Sequence, residues 1–393
     1  MPNLFDYLDW RGDLSFENSP VNEADNLAFC LLSYVDLDGI VPSDLGQGSV
    51  SLREAAAEYF LSHPERGTRP LGLILPADIL VLFRRMAKTP RFRNLRLTGY
   101  VNTVCEEREM QFSALTFLLS GERAFVASRG TDDSIVGWRE DFNLSHMDEV
   151  PSQRMAAEYL NRLDLPPDTA LYIGGHSKGG NLAVWGAVHA KESVRRQVLQ
   201  VYSNDGPGFT EGTVTSEAYR ALADRIRLYL PEDSLVGLLL EHDDRYTVVR
   251  SGRKGVFQHD GFSWEIRGAS FLREDGLSKR GLRTDTVLRE RIDAMTREER
   301  ERLVRILFGL VEATGCKTLT ELHASGGRAA VSILKAYREL PTKDQKTIAF
   351  LWEKLTTGKT AANTKKRRSG SGAKPRRRDK GRIHVEFFPL FTL

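Results

Sequence analysis

The run Gly174-Gly175-His176-Ser177-Lys178-Gly179-Gly180 contains the pattern G-x-S-x-G at residues 175–179. That pattern suits nucleophilic chemistry. A serine on a sharp strand-to-helix turn presents its hydroxyl outward, and a glycine two residues to either side lets neighbouring backbone approach without a clash. In a chain with 33 glycines the bare pentapeptide is a weak signal. Its surroundings strengthen it, because the apolar stretch Ala170–Ile173 leads into it and Asn181–Val188 follows with helical spacing. The competing reading is a glycine-rich helix start with no chemical duty.

A serine hydroxyl is a poor nucleophile until a base takes its proton, and the base must itself be oriented by a carboxylate. In the α/β-hydrolase fold, where such an elbow belongs, the chain order is serine, then Asp or Glu, then histidine, so both partners should lie downstream. His189, His242, His259, His323 and His384 do so. His189 falls within the helix that Ser177 opens, His323 in a later helical region and His384 beyond a basic tail. His259, in the loop Phe257–Trp264, is preferred over His242, which sits in the charged stretch Leu240–Arg245. Asp233, just past the apolar run Ile226–Leu230, is the expected carboxylate. Asp205 is the second choice, because its setting Ser203-Asn204-Asp205-Gly206-Pro207-Gly208 equally makes a plain turn. An acyl-transfer site also needs donors for a developing oxyanion. The backbone N–H of Lys178 is one candidate, and the turn Ser128-Arg129-Gly130-Thr131 is the natural source of a second.

The elements that would position these residues change in texture along the chain. Residues 1–90 read as mainly helical, with amphipathic spacing over Val21–Leu37, Ser51–Ser62 and Pro76–Lys88. Residues 91–270 read as the catalytic core. Strands are expected at Leu95–Val104, Gln111–Leu119 and Ala124–Ser128, followed by a polar loop. Helices then alternate with strands, with helices over 152–163, 177–191 and 216–223 and strands at Ala170–Ile173, Gln197–Tyr202 and Ile226–Leu230. That alternation predicts a mostly parallel sheet flanked by helices. Tyr246–Val249 and Val256–Gln258 either close the edge of the sheet or form a hairpin. Residues 285–357 read as a C-terminal helical extension of three helices (296–314, 318–339 and 342–356), with capping-box signals at Thr296-x-x-Glu299 and Thr318-x-x-Glu321.

The chain of 393 residues, 41% apolar and 28% charged, can bury a full core without staples. Its three cysteines form no C-x-x-C pair, which argues against a disulfide framework or a cysteine zinc site. The first residues lack the basic start and apolar run of a signal peptide, and no apolar stretch approaches the length of a membrane span. A cytoplasmic location is therefore expected. The net charge of +3 hides a segregation: residues 1–60 hold eleven Asp and Glu against two Arg, and residues 361–382 hold ten Lys and Arg against one Asp. The tail 358–393 is expected to be flexible and solvated. Its polycation, followed by the apolar Phe387–Phe391, makes an anionic membrane surface a second reading. No aromatic residue interleaves the basic ones, so nucleic acid is not the expected partner.

Four segments in register resemble the class 3 lipases of the α/β-hydrolase clan. They are Arg129-Gly130-Thr131 with Trp138 and Asp141, the elbow 175–180, the turn Pro231-Glu232-Asp233, and Gln258-His259 with Trp264. The stretches Asn3–Gly12 and Asn204–Phe209 resemble more specifically a bacterial lipase-like family of that clan, and the likeness covers roughly residues 1–270. The resemblance implies a triad of Ser177, Asp233 and His259, an oxyanion hole lined by Thr131 and Lys178, no metal or organic cofactor, and a small-molecule acyl substrate. It also implies a lid at about residues 132–150. That segment is more charged than a lipid-facing lid should be, and Lys178 stands where such lipases carry an apolar residue. Both features favour a soluble or anionic ester over bulk triglyceride. The alternative of another class is a catalytically silent hydrolase fold acting as a binding or scaffolding module; a peptidase is a third.

Overall fold

The computed structural model of the chain describes residues 1–66, 70–119, 122–241 and 245–357. Two expectations lie outside the described residues: His242 as alternative base, and the basic tail with its membrane-surface role.

Eight strands form one sheet in the order in which they occur along the chain: β1 (Val50–Ser51), β2 (Arg96–Cys105), β3 (Met110–Leu118), β4 (Arg123–Ser128), β5 (Ala170–His176), β6 (Val198–Asn204), β7 (Ile226–Pro231) and β8 (Tyr246–Val249). Pairing is antiparallel from β1 to β4 and parallel from β4 to β8. With helices on both faces, this is an α/β-hydrolase fold. Tyr246–Val249 is the parallel edge strand, whereas Gly255–His259 is a 3-10 turn and no strand.

Strands that advance in one direction through right-handed crossovers put their connecting helices on one face of the sheet, so the other face needs a separate cover. Here the N-terminal helices supply it: α1 (Leu4–Arg11), α2 (Glu23–Leu32), α3 (Leu52–Ser62) and α4 (Asp78–Met86). Alternate strand residues separate the two cores, as a period of two requires. Phe125, Tyr172, Tyr202 and Tyr229 face a core shared with Phe29 of α2, Tyr59 of α3 and Phe83 of α4. Val126, Ile173, Val201 and Leu228 face the opposite core. The crossover helices on that side are α5 (Ile135–Asn143) and α6 (Pro151–Arg162) between β4 and β5, and α7 (Lys178–His189) after β5. The short α8 (Glu192–Gln197), α9 (Glu211–Val214) and α10 (Glu217–Leu222) follow. Ala156 and Leu160 of α6 and Leu182 and Val184 of α7 complete the second core.

Beyond the sheet lie α11 (Lys279–Asp293), α12 (Arg297–Glu312), α13 (Leu319–Ser325), α14 (Gly327–Glu339) and α15 (Thr342–Thr357). Thr296 forms the expected capping box and Thr318 caps α13. The single helix expected over 318–339 is interrupted at Gly326, whose φ of 49° turns the chain between α13 and α14. The polar loop expected after Thr131 is also corrected, since its centre is α5. Ile135 packs on Val304, Phe308 and Val311 of α12 and on Leu319 and Leu322 of α13. The Ile135 N–H donates to Lys317 O at 2.9 Å and the Leu319 N–H to Asp133 O at 2.9 Å, while Arg139 pairs with Glu109 at 2.7 Å and with Glu312. Among the described residues, no helix is long and apolar enough to cross a membrane.

Candidate active site

Ser177 stands between β5 and α7 with φ 58° and ψ −137°, a left-handed conformation that costs a non-glycine residue on the order of 1–3 kcal/mol. Three chain segments converge tightly enough to hold it there. A Cβ on Gly175 would lie 2.0 Å from the Gly179 carbonyl carbon, and one on Gly179 would lie 2.2 Å from Ser128 O. The G-x-S-x-G spacing is thus a packing requirement. A Cβ on Gly130 would lie 2.5 Å from His176 O and 3.1 Å from the Ser177 Cβ, so the turn after β4 lies directly against the serine. From the other side, the Ser177 N–H donates to Asn204 O at 3.0 Å, and Asn181 of α7 ties down the following turn by donating to Gly208 O at 2.7 Å.

That turn carries Asp205, fully buried and itself at φ 51°. Its Oδ2 accepts from His259 Nδ1 at 2.6 Å, while Oδ1 accepts from Ser234 Oγ at 2.5 Å and from the Gly237 N–H at 3.2 Å. The expected assignment of Asp233 is corrected. Asp233 accepts instead from Ser278 Oγ and from the Gly255 N–H at 2.9 Å, and its own N–H donates to Gln258 Oε1 at 2.7 Å. The physical reason is sheet order. Asp205 ends β6, the immediate neighbour of β5, whereas Asp233 follows β7, one strand spacing of about 4.8 Å farther away. Asp233 latches the loop that delivers His259. Partial burial works to raise its carboxyl, but the Ser278 and Gly255 hydrogen bonds bring it below the ordinary value.

His259 is 27% exposed at its side chain and its Asp205 partner is 0% exposed, so the acid is sealed and the ring reaches solvent. With Nδ1 donating to the carboxylate, Nε2 keeps its lone pair, which is the form a general base requires. His176, unassigned from the sequence, completes the corner. Its Nε2 lies 2.7 Å from His259 O and must donate to it, which leaves Nδ1 to accept from the Tyr34 hydroxyl at 3.1 Å. The two imidazoles lie 4.7 Å apart. Burial, then the neighbouring His259, lowers His176 to about 3, and it stays neutral. Its position inside the elbow was the only sequence signal for it.

In the turn after β4, Thr131 is buried and its hydroxyl donates to Asp141 Oδ2 of α5 at 2.5 Å. Burial pushes the Asp141 carboxyl up to about 6 against the pull of Lys178 and of that hydroxyl. The Lys178 N–H is the first of α7 and has no acceptor within its own helix. The Lys178 side chain runs the other way. Its ammonium donates to Gln111 O at 3.0 Å, Gln111 Oε1 at 2.9 Å and Glu140 Oε2 at 3.0 Å, and both ion-pair partners are buried. The inference that Lys178 selects an anionic substrate is therefore withdrawn. Among the described residues no group of three or more His, Cys, Asp or Glu is arranged to hold a metal ion.

The profile of the Mbeg1-like family matches residues 86–309, more than half of the chain, and the chain belongs to this lipase-like family. The match includes Ser177, Asp205 and His259, leaves out the helices α1 to α3 and almost all of α4, and reaches into α12. Its limits thus differ from the resemblance over residues 1–270 expected from the sequence. Among solved structures the chain is similar to the crystal structure of M37 lipase, at 17% identity over 55% of this chain and 69% of that one, with a TM-score of 0.33. It is also similar to the native propeptide complex of Rhizomucor miehei lipase, at 14% identity over 40% of this chain and 57% of that one, with a TM-score of 0.27. No curated protein matches the chain.

Proposed function

We propose that this member of the Mbeg1-like family is a serine hydrolase of carboxylic esters or related acyl bonds, with Ser177 as nucleophile, His259 as general base and Asp205 as the acid that orients it. The observation that carries the reading is the pairing of two costly arrangements in one corner: a serine held at φ 58° and a buried carboxylate hydrogen-bonded at 2.6 Å to a half-buried histidine. Neither is needed for the sheet to form. In the proposed reaction the Ser177 hydroxyl loses its proton to His259 Nε2 as its oxygen attacks the acyl carbonyl. The imidazolium rests on Asp205 and returns the proton to the leaving alkoxide, and water repeats the sequence on the acyl-enzyme. The N–H groups of Lys178 and Thr131 are the proposed donors to the oxyanion, the α7 N-terminus adding its partial positive charge.

A serine-directed fluorophosphonate tests this without knowledge of the substrate. The wild-type chain is expected to label once, at Ser177, and Ser177→Ala to remain unlabelled. A folded wild-type protein that resists labelling at neutral pH overturns the proposal.

A further inference from the structure

The segment Pro70–Pro76 runs from Asp133, two residues after Thr131, to the start of α4, whose Asp78 acts on Asp260 beside His259. Near its start Gly72 lies so close to Asp133 that an added Cβ would stand 2.7 Å from the Asp133 Cβ, and the Leu73 N–H donates to Asp133 Oδ1 at 2.9 Å. Asp133 is the second residue after Thr131. It is fixed from behind, its Oδ2 accepting from the Thr320 N–H at 3.1 Å and its carbonyl from the Leu319 N–H at 2.9 Å. At its far end the segment enters α4 at Asp78, whose charge acts on Asp260, the residue after His259.

The side chains of this segment divide by role. Leu71 and Leu75 pack on the core that contains Tyr34 and Phe262, and so hold the segment down. Between them Leu73 and Ile74 are each 39% exposed. On the other side of the corner Phe257, two residues before His259, is 61% exposed. Three large apolar groups therefore stay in water on the two loops that abut the oxyanion turn and the base. A segment anchored at both ends gains nothing for its own fold by exposing them, and apolar side chains on loops that flank a reactive site are where a ligand's apolar part can be received. The buried Lys178 ammonium is committed to Glu140 and Gln111, and Arg253, on the loop of Phe257, pairs with Asp260 at 2.9 Å.

We propose that Leu73, Ile74 and Phe257 form an apolar rim that receives the hydrocarbon chain of the acyl group presented to Ser177, and that Pro70–Pro76 is the specificity-determining segment of this chain. The segment Pro70–Pro76 lies outside the family match and Phe257 lies within it. The inference rests on the serine-hydrolase reading of Ser177.

The test compares kcat/KM for 4-nitrophenyl acetate, butyrate and octanoate, below their aggregation limits, in the wild type and in Leu73→Ser/Ile74→Ser and Phe257→Ser. Leu61→Ser and Val331→Ser serve as controls, being 77% and 68% exposed in α3 and α14. The octanoate-to-acetate ratio is expected to exceed one in the wild type, to fall about tenfold in the double variant and severalfold in Phe257→Ser, and to stay put in both controls. Fluorophosphonate labelling of every variant reports separately on the nucleophile. Variants that label normally and keep the wild-type ratio overturn the rim and leave the hydrolase reading intact. A wild type that neither labels nor turns over overturns both.

Discussion

Two carboxylates lie near the base, and their hydrogen bonds assign them different work. Asp205 touches the imidazole, while Asp233 touches Ser278 and the Gly255 N–H. Asp205→Asn would turn an amide toward His259 Nδ1 and hold the wrong tautomer, so kcat is expected to fall by about 10³-fold or more with little change in unfolding temperature. Asp233→Asn should lose about 1 kcal/mol of stability through a weakened loop latch and keep activity within about threefold. Steady-state kinetics beside thermal unfolding separates the two; an equal loss of kcat in both would contradict the assignment. His176 supplies a pH prediction. Its folded value near 3 lies below the ordinary value of 6.5, so the unfolded chain binds the proton more readily between those limits. The stability that His176 confers is complete above about pH 6.5 and is lost as pH falls toward 3, by an amount on the order of 5 kcal/mol. Asp141 runs in the opposite sense, because its raised carboxyl makes the folded state the better proton binder below about 6. The His176 part is therefore read as the difference between wild type and His176→Gln in denaturant titrations from pH 7 to 5, and that difference should shrink on acidification.

At the scale of elements, the strand-turn-helix from β5 to α7 depends on backbone contact that no side chain can enter. Gly179→Ala would place a methyl 2.2 Å from Ser128 O, a backbone atom with nowhere to move. A loss of about 2–3 kcal/mol is expected, with labelling of Ser177 slowed at least tenfold in whatever folds. Unchanged labelling would mean that the elbow relaxes around the methyl. This unit was legible in the sequence because its signals are local: an apolar strand, two glycines and a helical period. The alternation from β2 to β7 was legible for the same reason, each strand burying alternate residues in one of two cores. The choice between Asp205 and Asp233 was not, because it depends on which strand lies beside β5, a long-range fact that no local spacing records. α5 was hidden differently. Its charged residues look solvated in sequence, yet Glu140 meets Lys178, Asp141 meets Thr131 and Arg139 meets Glu109 and Glu312, partners that are distant along the chain. The turn Gly255–His259 was ambiguous because its two apolar residues, Val256 and Phe257, suit a 3-10 turn as well as a strand.

Over the whole molecule, the C-terminal helices are coupled to the site through α5. Phe308 of α12, 1% exposed, meets Phe142 of α5 with ring centroids 5.5 Å apart, and Ile135 packs in the same cluster. The opposite face of α5 supplies Glu140 to Lys178 and Asp141 to Thr131, the two residues proposed to line the oxyanion hole. The segment that resemblance assigned to a lid is thus clamped between the helical extension and the elbow. Phe308→Ala opens a cavity in that clamp and is expected to cost about 3–5 kcal/mol. Because the clamp is local, amide hydrogen exchange should accelerate over residues 133–147 and 317–322 and stay slow in β5, β6 and β7. Fluorophosphonate labelling of Ser177 should slow severalfold with the enzyme still folded, since the nucleophile and base are untouched while the oxyanion donors lose their backing. Exchange that accelerates across the sheet as well would make α12 a support of the whole fold. Faster labelling would make α5 a barrier over Ser177 and not its brace.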